Sequence, residues 1–534
     1  MYFLEAILIT VPTSLVLLAG YRRAVSRSMR QVGAGIARPL VAAKTELQAD
    51  NRALMHSSDG TPTESVTATK RRLVLVYGLA SLVAAFLMAF LFALSMKFDL
   101  SLLGAFVSWY SYAWPVVPIT VILLALPQHR NILFLLLYLL LGAVLVGGWS
   151  WFSSSILGHV DTSPLKNTRY FLQFLGQVFW LPYLIILVTG NRRLRPVSPL
   201  VMAGLLVFSF GSLFARDLYL AALQANPKAA WLLFGGSRAY ALWYLVAALP
   251  IGYGCWVGLR QLASWYERKR FSDVQLVIDS WWLIVSFQFS SQLASDFGWA
   301  GLAGLLAFVG YRGTVELGLR VFRLPRGHRG PTLLLLRVFG FQHRTEVLFD
   351  SVAERWRFVG PVMMIAGGDL AMRTVNPGDV ISFVSGRLSS RFIADEEQGR
   401  QATAAIDGLQ DPDGRYRTTK FFCREDTWRH TLTMLLEGSD LVLMDLRGFS
   451  ESNSGCSFEL QELIAQELLA RTLLVVDHTT NKSLLEETIR QQARSCGKAD
   501  AEPLQVRHLA RQSSTELAAL YESLQRLIGH GSMP

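Results

Sequence analysis

The chain has 534 residues, 51% hydrophobic and 17% charged, a balance that excludes one ordinary soluble domain. Its net charge of +11 suggests nucleic acid until it is divided: residues 1–330 hold 29 Lys and Arg against 13 Asp and Glu, while residues 331–534 hold 22 against 27. The basic excess therefore belongs to the apolar half, as cytoplasmic membrane loops require, and nucleic acid is not expected as a partner.

In chain order, residues 2–20 are apolar over about one bilayer span, and Tyr21-Arg22-Arg23 follows them. A secretory signal puts its positive charges before the apolar run, so this reads as an uncleaved span with its amino terminus outside. The polar stretch 21–72 is expected as a cytoplasmic loop, with a flexible middle rich in Ser, Thr, Gly and Pro at 57–69. Apolar runs recur near 73–96, 103–126, 131–152, 170–190, 197–215 and 239–259. The loops between them alternate in charge. Pro127-Gln128-His129-Arg130, Asn191-Arg192-Arg193-Leu194-Arg195 and Arg268-Lys269-Arg270 are basic and face inward, whereas those near Lys97, Lys166 and Lys228 are less basic and face outward.

Residues 274–294 and 298–319 make two more spans or an interfacial hairpin, and either leaves the carboxyl terminus inside. Asp279 and Glu316 are the acidic residues within them. Charges within spans are candidates for a transport or relay role, but each also lies within a turn or two of a membrane surface. No pair of broken spans recurs in two halves, as a transporter repeat would show. The expected organisation is a polytopic α-helical membrane domain over 1–320, with about 7–9 transmembrane helices, a basic linker at 321–330 suited to lipid headgroups, and a soluble domain over 331–534.

In the soluble part, strands are expected at 332–338, 361–366, 441–444 and 472–476, with weaker signals at 418–422 and 504–508. Helices are expected at 345–358, 377–392, 427–436, 454–470, 483–494 and 514–528, with a long polar loop over 394–417. Alternating strands and helices with apolar strand runs imply a doubly wound α/β sandwich. Four scattered cysteines fit no disulfide framework, and the nine histidines have no ligand spacing, so neither metal nor cofactor is expected.

The most informative stretch is 439–464, SDLVLMDLRGFSESNSGCSFELQELI. Its apolar run reads as a strand buried on both faces, its polar middle as a loop, and Leu460, Leu463, Ile464 and Leu468 as one stripe of a helix. Ligands of open α/β sheets sit at the carboxyl ends of strands, so Asp445 and Glu459 would flank such a crevice. A carboxylate there can bond a ribose hydroxyl or stabilise an oxocarbenium ion. The plainer readings are that Glu459 complements the helix dipole and Asp445 caps the loop. Arg337 and Asp369 would join them from the ends of the first two strands, and Gly367-Gly368 reads as a phosphate approach or a simple turn. Arg447 pairs with a phosphate or with Glu451. Trp428 and Phe449 stack on a ring or fill the core.

Gly455-Cys456-Ser457-Phe458-Glu459-Leu460 resembles the W-C-x-x-E-L of TIR domains, with Gly455 where Trp is usual. Asn453-Ser454-Gly455-Cys456-Ser457-Phe458-Glu459 is similar to the D-x-G-x-x-x-E signature of nucleoside 2-deoxyribosyltransferases. The likeness is sharp over about 25 residues and loose over the final 200. It implies a flavodoxin-like (TIR-like) fold, Glu459 as the catalytic residue for an N-glycosidic bond, and NAD or a nucleoside as substrate. Arg337, Asp369, Asp445, Arg447, Ser450 and Asn453 would bind the ligand.

The expected protein is thus a multi-pass inner-membrane signalling or effector protein whose carboxyl-terminal domain lies in the cytoplasm. Its partners would be the bilayer, a nucleotide-like small molecule and copies of itself. The TIR first-strand signature S-Y-S-x-x-D is replaced by Leu336-Arg337-Val338-Phe339-Gly340-Phe341. That departure keeps two rivals open: a non-enzymatic assembly module on the same fold, and a transporter with a regulatory soluble domain.

Overall fold

A computed structural model of the chain describes most residues of both halves. Residues 31–61, 96–108, most of 110–127, 157–163, 179–196, most of 198–236, 323–329, 338–341, 367–376, 424–426, 497–503 and 531–534 lie outside the described residues, with a few single positions. The expected spans at 103–126 and 197–215, most of the linker, Asp369 and Gly367-Gly368 therefore also lie outside them. Contacts divide the chain into two units. The first holds Met1–Gly20, Lys70–Arg323 and Asn376–Ser385; the second holds Tyr21–Thr69, Leu324–Val375 and Gly386–Pro534.

The first unit is helical among the described residues. Its helices are the Tyr2–Gly20 part of α1 (Tyr2–Arg30), the part of α2 (Pro62–Ser95) from Lys70 on, α3 (Gln128–Ile156), α4 (Pro164–Val178), α5 (Ser237–Glu267), α6 (Asp273–Phe297) and, after a 3-10 segment at Gly298–Leu305, α7 (Leu306–Val321). The ends of α1 and α2 correct the expected loop at 21–72, because Tyr21–Arg30 continues α1 and the Thr- and Ser-rich run from Pro62 begins α2. Proline suits a first helical position, where its missing N–H costs nothing. Among the described residues, two helical stretches are long and apolar enough to cross a membrane, Ala68–Ser95 and Gly298–Val321. Helix α3 is apolar on all sides and leaves Leu136, Leu137, Leu140 and Val144 half exposed. Gly310 and Gly318 let α7 lie against Leu87 and Val76 of α2, where a Cβ would collide. The short helix α9 (Pro377–Val384) packs on α5, with Gly378 against the Tyr266 ring.

The second unit holds a seven-stranded, all-parallel sheet. In chain order its elements are β1 (Leu333–Arg337), α8 (Gln342–Trp356), β2 (Val362–Ala366), β3 (Phe392–Ile393), α10 (Glu396–Ala404), β4 (Thr418–Cys423) and α11 (Trp428–Glu437). They continue as β5 (Leu441–Asp445), α12 (Ser454–Ala465), β6 (Thr472–Val476), α13 (Lys482–Ser495), β7 (Gln505–His508) and α14 (Ser514–His530). The order is β3-β4-β2-β1-β5-β6-β7, and its β2-β1-β5-β6-β7 portion is the flavodoxin-like doubly wound order. The central strands are fully buried runs such as Leu333–Arg337 and Leu441–Asp445, as a sheet covered on both faces demands. Leu432, Leu436, Leu460, Leu463 and Ile489, from α11, α12 and α13, form the core on one face. Helices α8 and α14 pack together, with Trp356 and Tyr521 edge to face at 6.2 Å.

Three local expectations are corrected. The helix expected over 377–392 stops at Val384, and Phe392–Ile393 becomes an edge strand beside β4. The loop expected over 394–417 contains α10, whose first turn is capped by Asp395 accepting from the Gln398 amide at 2.8 Å. The helix expected to run from 454 to 470 ends at Ala465, because Glu467 takes a φ of 59° that no α-helix tolerates.

Candidate functional site

The site is built where the sheet changes direction. Strand β1 has β2 on one side and β5 on the other, so the loops after β1 and β5 diverge to opposite faces and leave a crevice at their carboxyl ends. Arg337 and Asp445 are register partners at those two ends. Both are buried, at 5% and 1% exposure.

Asp445 is spent within the protein. Its Oδ1 accepts from Arg447 Nε at 2.7 Å, and its Oδ2 accepts from Arg447 Nη2 at 2.7 Å and from the Thr345 hydroxyl at 2.9 Å. This corrects the protein partner expected for Arg447, Glu451: its fork closes on the carboxylate two residues earlier. The pair is 1% exposed on each side. Gly448, at a φ of 77°, supplies the left-handed turn that follows. Arg447 Nη2 also donates to the Arg344 carbonyl at 3.2 Å, while its Nη1 is buried with no hydrogen-bond partner. Asp445 and Arg447 thus form a clamp joining β5 to the start of α8.

Glu459 is different. It lies in the second turn of α12 and is 4% exposed, and its Oε2 has no hydrogen-bond partner. Burial pushes its pKa up to about 8, and the Arg337 guanidinium pulls it back only in part. The carboxyl is therefore mostly protonated at neutral pH. The dipole reading of Glu459 does not fit a buried side chain past the first turn. Cys456 places the helix beside β1: its Sγ donates to the Arg337 carbonyl at 3.8 Å.

Ser450 and Asn453 bond each other. The Asn453 side-chain oxygen accepts from the Ser450 amide and hydroxyl, both at 2.9 Å, and so shapes the loop that aims α12. Trp428 packs edge to face on Phe458 at 5.5 Å with Arg429 over both rings, and Phe449 is core at 1% exposure. These aromatics follow the core reading.

Sequence reasoning missed the neighbouring strand end. Asp477, just after β6, is fully buried and lies 2.9 Å from Arg344 Nη2, a contact of charge that is not aligned as a hydrogen bond. Burial acts to raise its pKa, but the Thr479 hydroxyl and amide, Arg344 and His478 together hold it below the ordinary carboxylate value. The sequence signal was a carboxylate at the end of an apolar run, the same signal that singled out Asp445. Thr480 reinforces the junction by donating to the Leu446 carbonyl at 3.0 Å.

No known protein family, characterised protein or solved structure matches this chain.

Proposed function

We propose that this chain is a multi-pass inner-membrane protein whose cytoplasmic, TIR-like α/β domain binds NAD or a nucleoside and cleaves its N-glycosidic bond at Glu459. The observation that carries the reading is the buried Glu459 carboxyl, with one oxygen unpartnered, beside Arg337 at the switch point of a doubly wound sheet. A buried group with a strongly perturbed pKa in such a place is a functional-site candidate on physical grounds. The membrane half of the reading rests on two span-length apolar helices and on α3, whose exposed leucines suit lipid better than water.

In this reaction the C1′–N bond breaks and its electron pair leaves with the base. The ribosyl cation then takes up water, which releases a proton. Glu459 serves as a carboxylate in that step, because an anion opposite the developing charge lowers the barrier. It starts protonated, so a ligand with a fixed positive charge, such as the pyridinium of NAD, favours its ionisation on binding. Asp445 and Arg447 hold the β5 end rigid, and Arg337 contributes the nearest positive charge.

The test is turnover of NAD and of nucleosides by the full-length protein in detergent and by residues 331–534, wild type against Glu459→Gln. Loss of turnover with retained binding supports the reading. A full-length, clustered protein silent toward both substrate classes would favour the assembly module. That second reading draws on one observation, that Arg337, Asp445, Arg447 and Glu459 are each at most 5% exposed.

A further inference from the structure

Helix α6 is largely buried, and one of its faces is polar. Gln275, Asp279, Trp282, Ser286 and Ser290 recur at spacings of four, three, four and four residues. At about 100° and 1.5 Å per residue they share an arc of about 80° and extend over about 22 Å. Two of the five are satisfied. Asp279 accepts from Arg312 Nη1 at 2.6 Å and from the Tyr311 hydroxyl at 3.3 Å, and Ser290 donates to the Gly301 carbonyl at 2.8 Å. Gly301 and Gly304 allow that last contact, since a Cβ at either would strike the α6 backbone at Ala294 or Ser290.

The other three are not satisfied. Gln275 Oε1, Trp282 Nε1 and Ser286 Oγ are buried with no hydrogen-bond partner, in residues 1%, 0% and 0% exposed. Buried polar groups that the protein leaves unbonded are the groups ordered water bonds. Three of them on one helical face, flanking a partly buried ion pair, are a pattern that apolar packing does not produce. The adjacent Trp281 is just as buried but lies about 100° round the helix, and its indole nitrogen is not among the unpartnered atoms.

We propose that this face of α6 binds an internal file of water molecules that reaches the Asp279–Arg312 ion pair. The ligand class is water, with the protons that such a file carries. Its polar partners are Gln275, Trp282 and Ser286, and the Asp279–Arg312 pair is the charge the file meets. This inference is independent of the nucleotide reading, because it rests on burial within the other unit.

Hydroxyl-radical footprinting of the full-length protein in lipid nanodiscs, read by mass spectrometry, tests it. Radicals generated from bound water oxidise the side chains beside it. The expected result is oxidation of Trp282 several-fold faster than of Trp281, although both are fully buried. Ser286→Ala removes a water partner and should lower labelling of Trp282 while leaving Trp281 unchanged. Equal labelling of the two tryptophans in the wild-type protein, whether low or high, would overturn the proposal without reliance on any variant.

Discussion

The two edges of the parallel sheet carry charge in opposite ways. At the carboxyl edge, Arg337, Asp445, Arg447, Glu459 and Asp477 are all nearly or fully buried. At the amino edge, a hollow of about 520 Å³ between α11 and α12 is lined by Thr433, Glu437, Ser439, Glu462, Gln466 and Arg471. Its Glu437 and Arg471 are exposed, and Glu462 accepts from the Thr433 hydroxyl at 3.0 Å. The charges of that hollow reach solvent and cost little to keep. The carboxyl edge holds charges that are expensive to desolvate, so it is there that a functional reason for them is required.

The sharpest way to break the comparison is to remove one member of the buried clamp. Asp445→Ala leaves Arg447 buried without its carboxylate and should cost about 3–5 kcal/mol of domain stability in urea unfolding of the full-length protein. Glu437→Ala at the amino edge should stay within about 0.5 kcal/mol. If the two variants unfold at the same urea concentration, burial of charge at the carboxyl edge has been misread.

Next in size is turnover. Glu459→Gln keeps the shape of the side chain and removes its charge, so the proposed cleavage should slow by about 10²-fold or more. Substrate binding should change less, since only the transition state carries the full charge. Glu462→Gln, one turn further along α12, faces the amino-edge hollow and should be nearly silent.

A pH series sharpens the same contrast. Glu459 has an ordinary pKa of 4.5 and a folded value of about 8, so between these the folded protein holds a proton that the unfolded chain has released. Stability from this group is therefore intact below about pH 4.5 and is lost as pH rises toward 8. Thermal unfolding should show Glu459→Gln stabilised over wild type by several degrees at pH 8 and not at pH 5. Activity that needs the carboxylate should rise over the same range. A flat stability difference between the two pH values would mean that Glu459 titrates normally.

The smallest effect separates two glycines. Gly448→Ala forces a side chain into a φ of 77° and should cost about 1 kcal/mol. Gly438→Ala, at a φ of −91° with its nearest neighbour 3.8 Å away, should be neutral within a few tenths. Matched urea midpoints would check both.

Much of the sheet was legible in the chain. The run at 472–476 coincides with β6, and those at 332–338, 361–366 and 441–444 match β1, β2 and β5 to within a residue or two at each end, because strands buried on both faces are continuous apolar runs. Helix α10 was not legible. Its sequence, EEQGRQATA, has no apolar stripe, and only the capping Asp395 marks it. Nor was β3, a two-residue strand that exists because β4 offers it a free edge. In the site, Glu459 and Asp445 stood out by position, but their chemical difference did not. Two carboxylates fourteen residues apart look alike until the partners of each are known.

The sequence by itself determined the strand-helix alternation, the apolar character of the first half and the placing of Asp445 and Glu459 near strand ends. Those features depend on local composition and on periods of two and 3.6 residues. Only the tertiary structure decided that Arg447 closes on Asp445, that Arg344 reaches Asp477, and that Glu459 is left buried with an unpartnered oxygen beside Arg337. The physical reason is that a side chain's charge state and reach are set by its neighbours in space. Those neighbours come from β1, α8, β5, α12 and the end of β6, brought together by a strand order that no local pattern encodes.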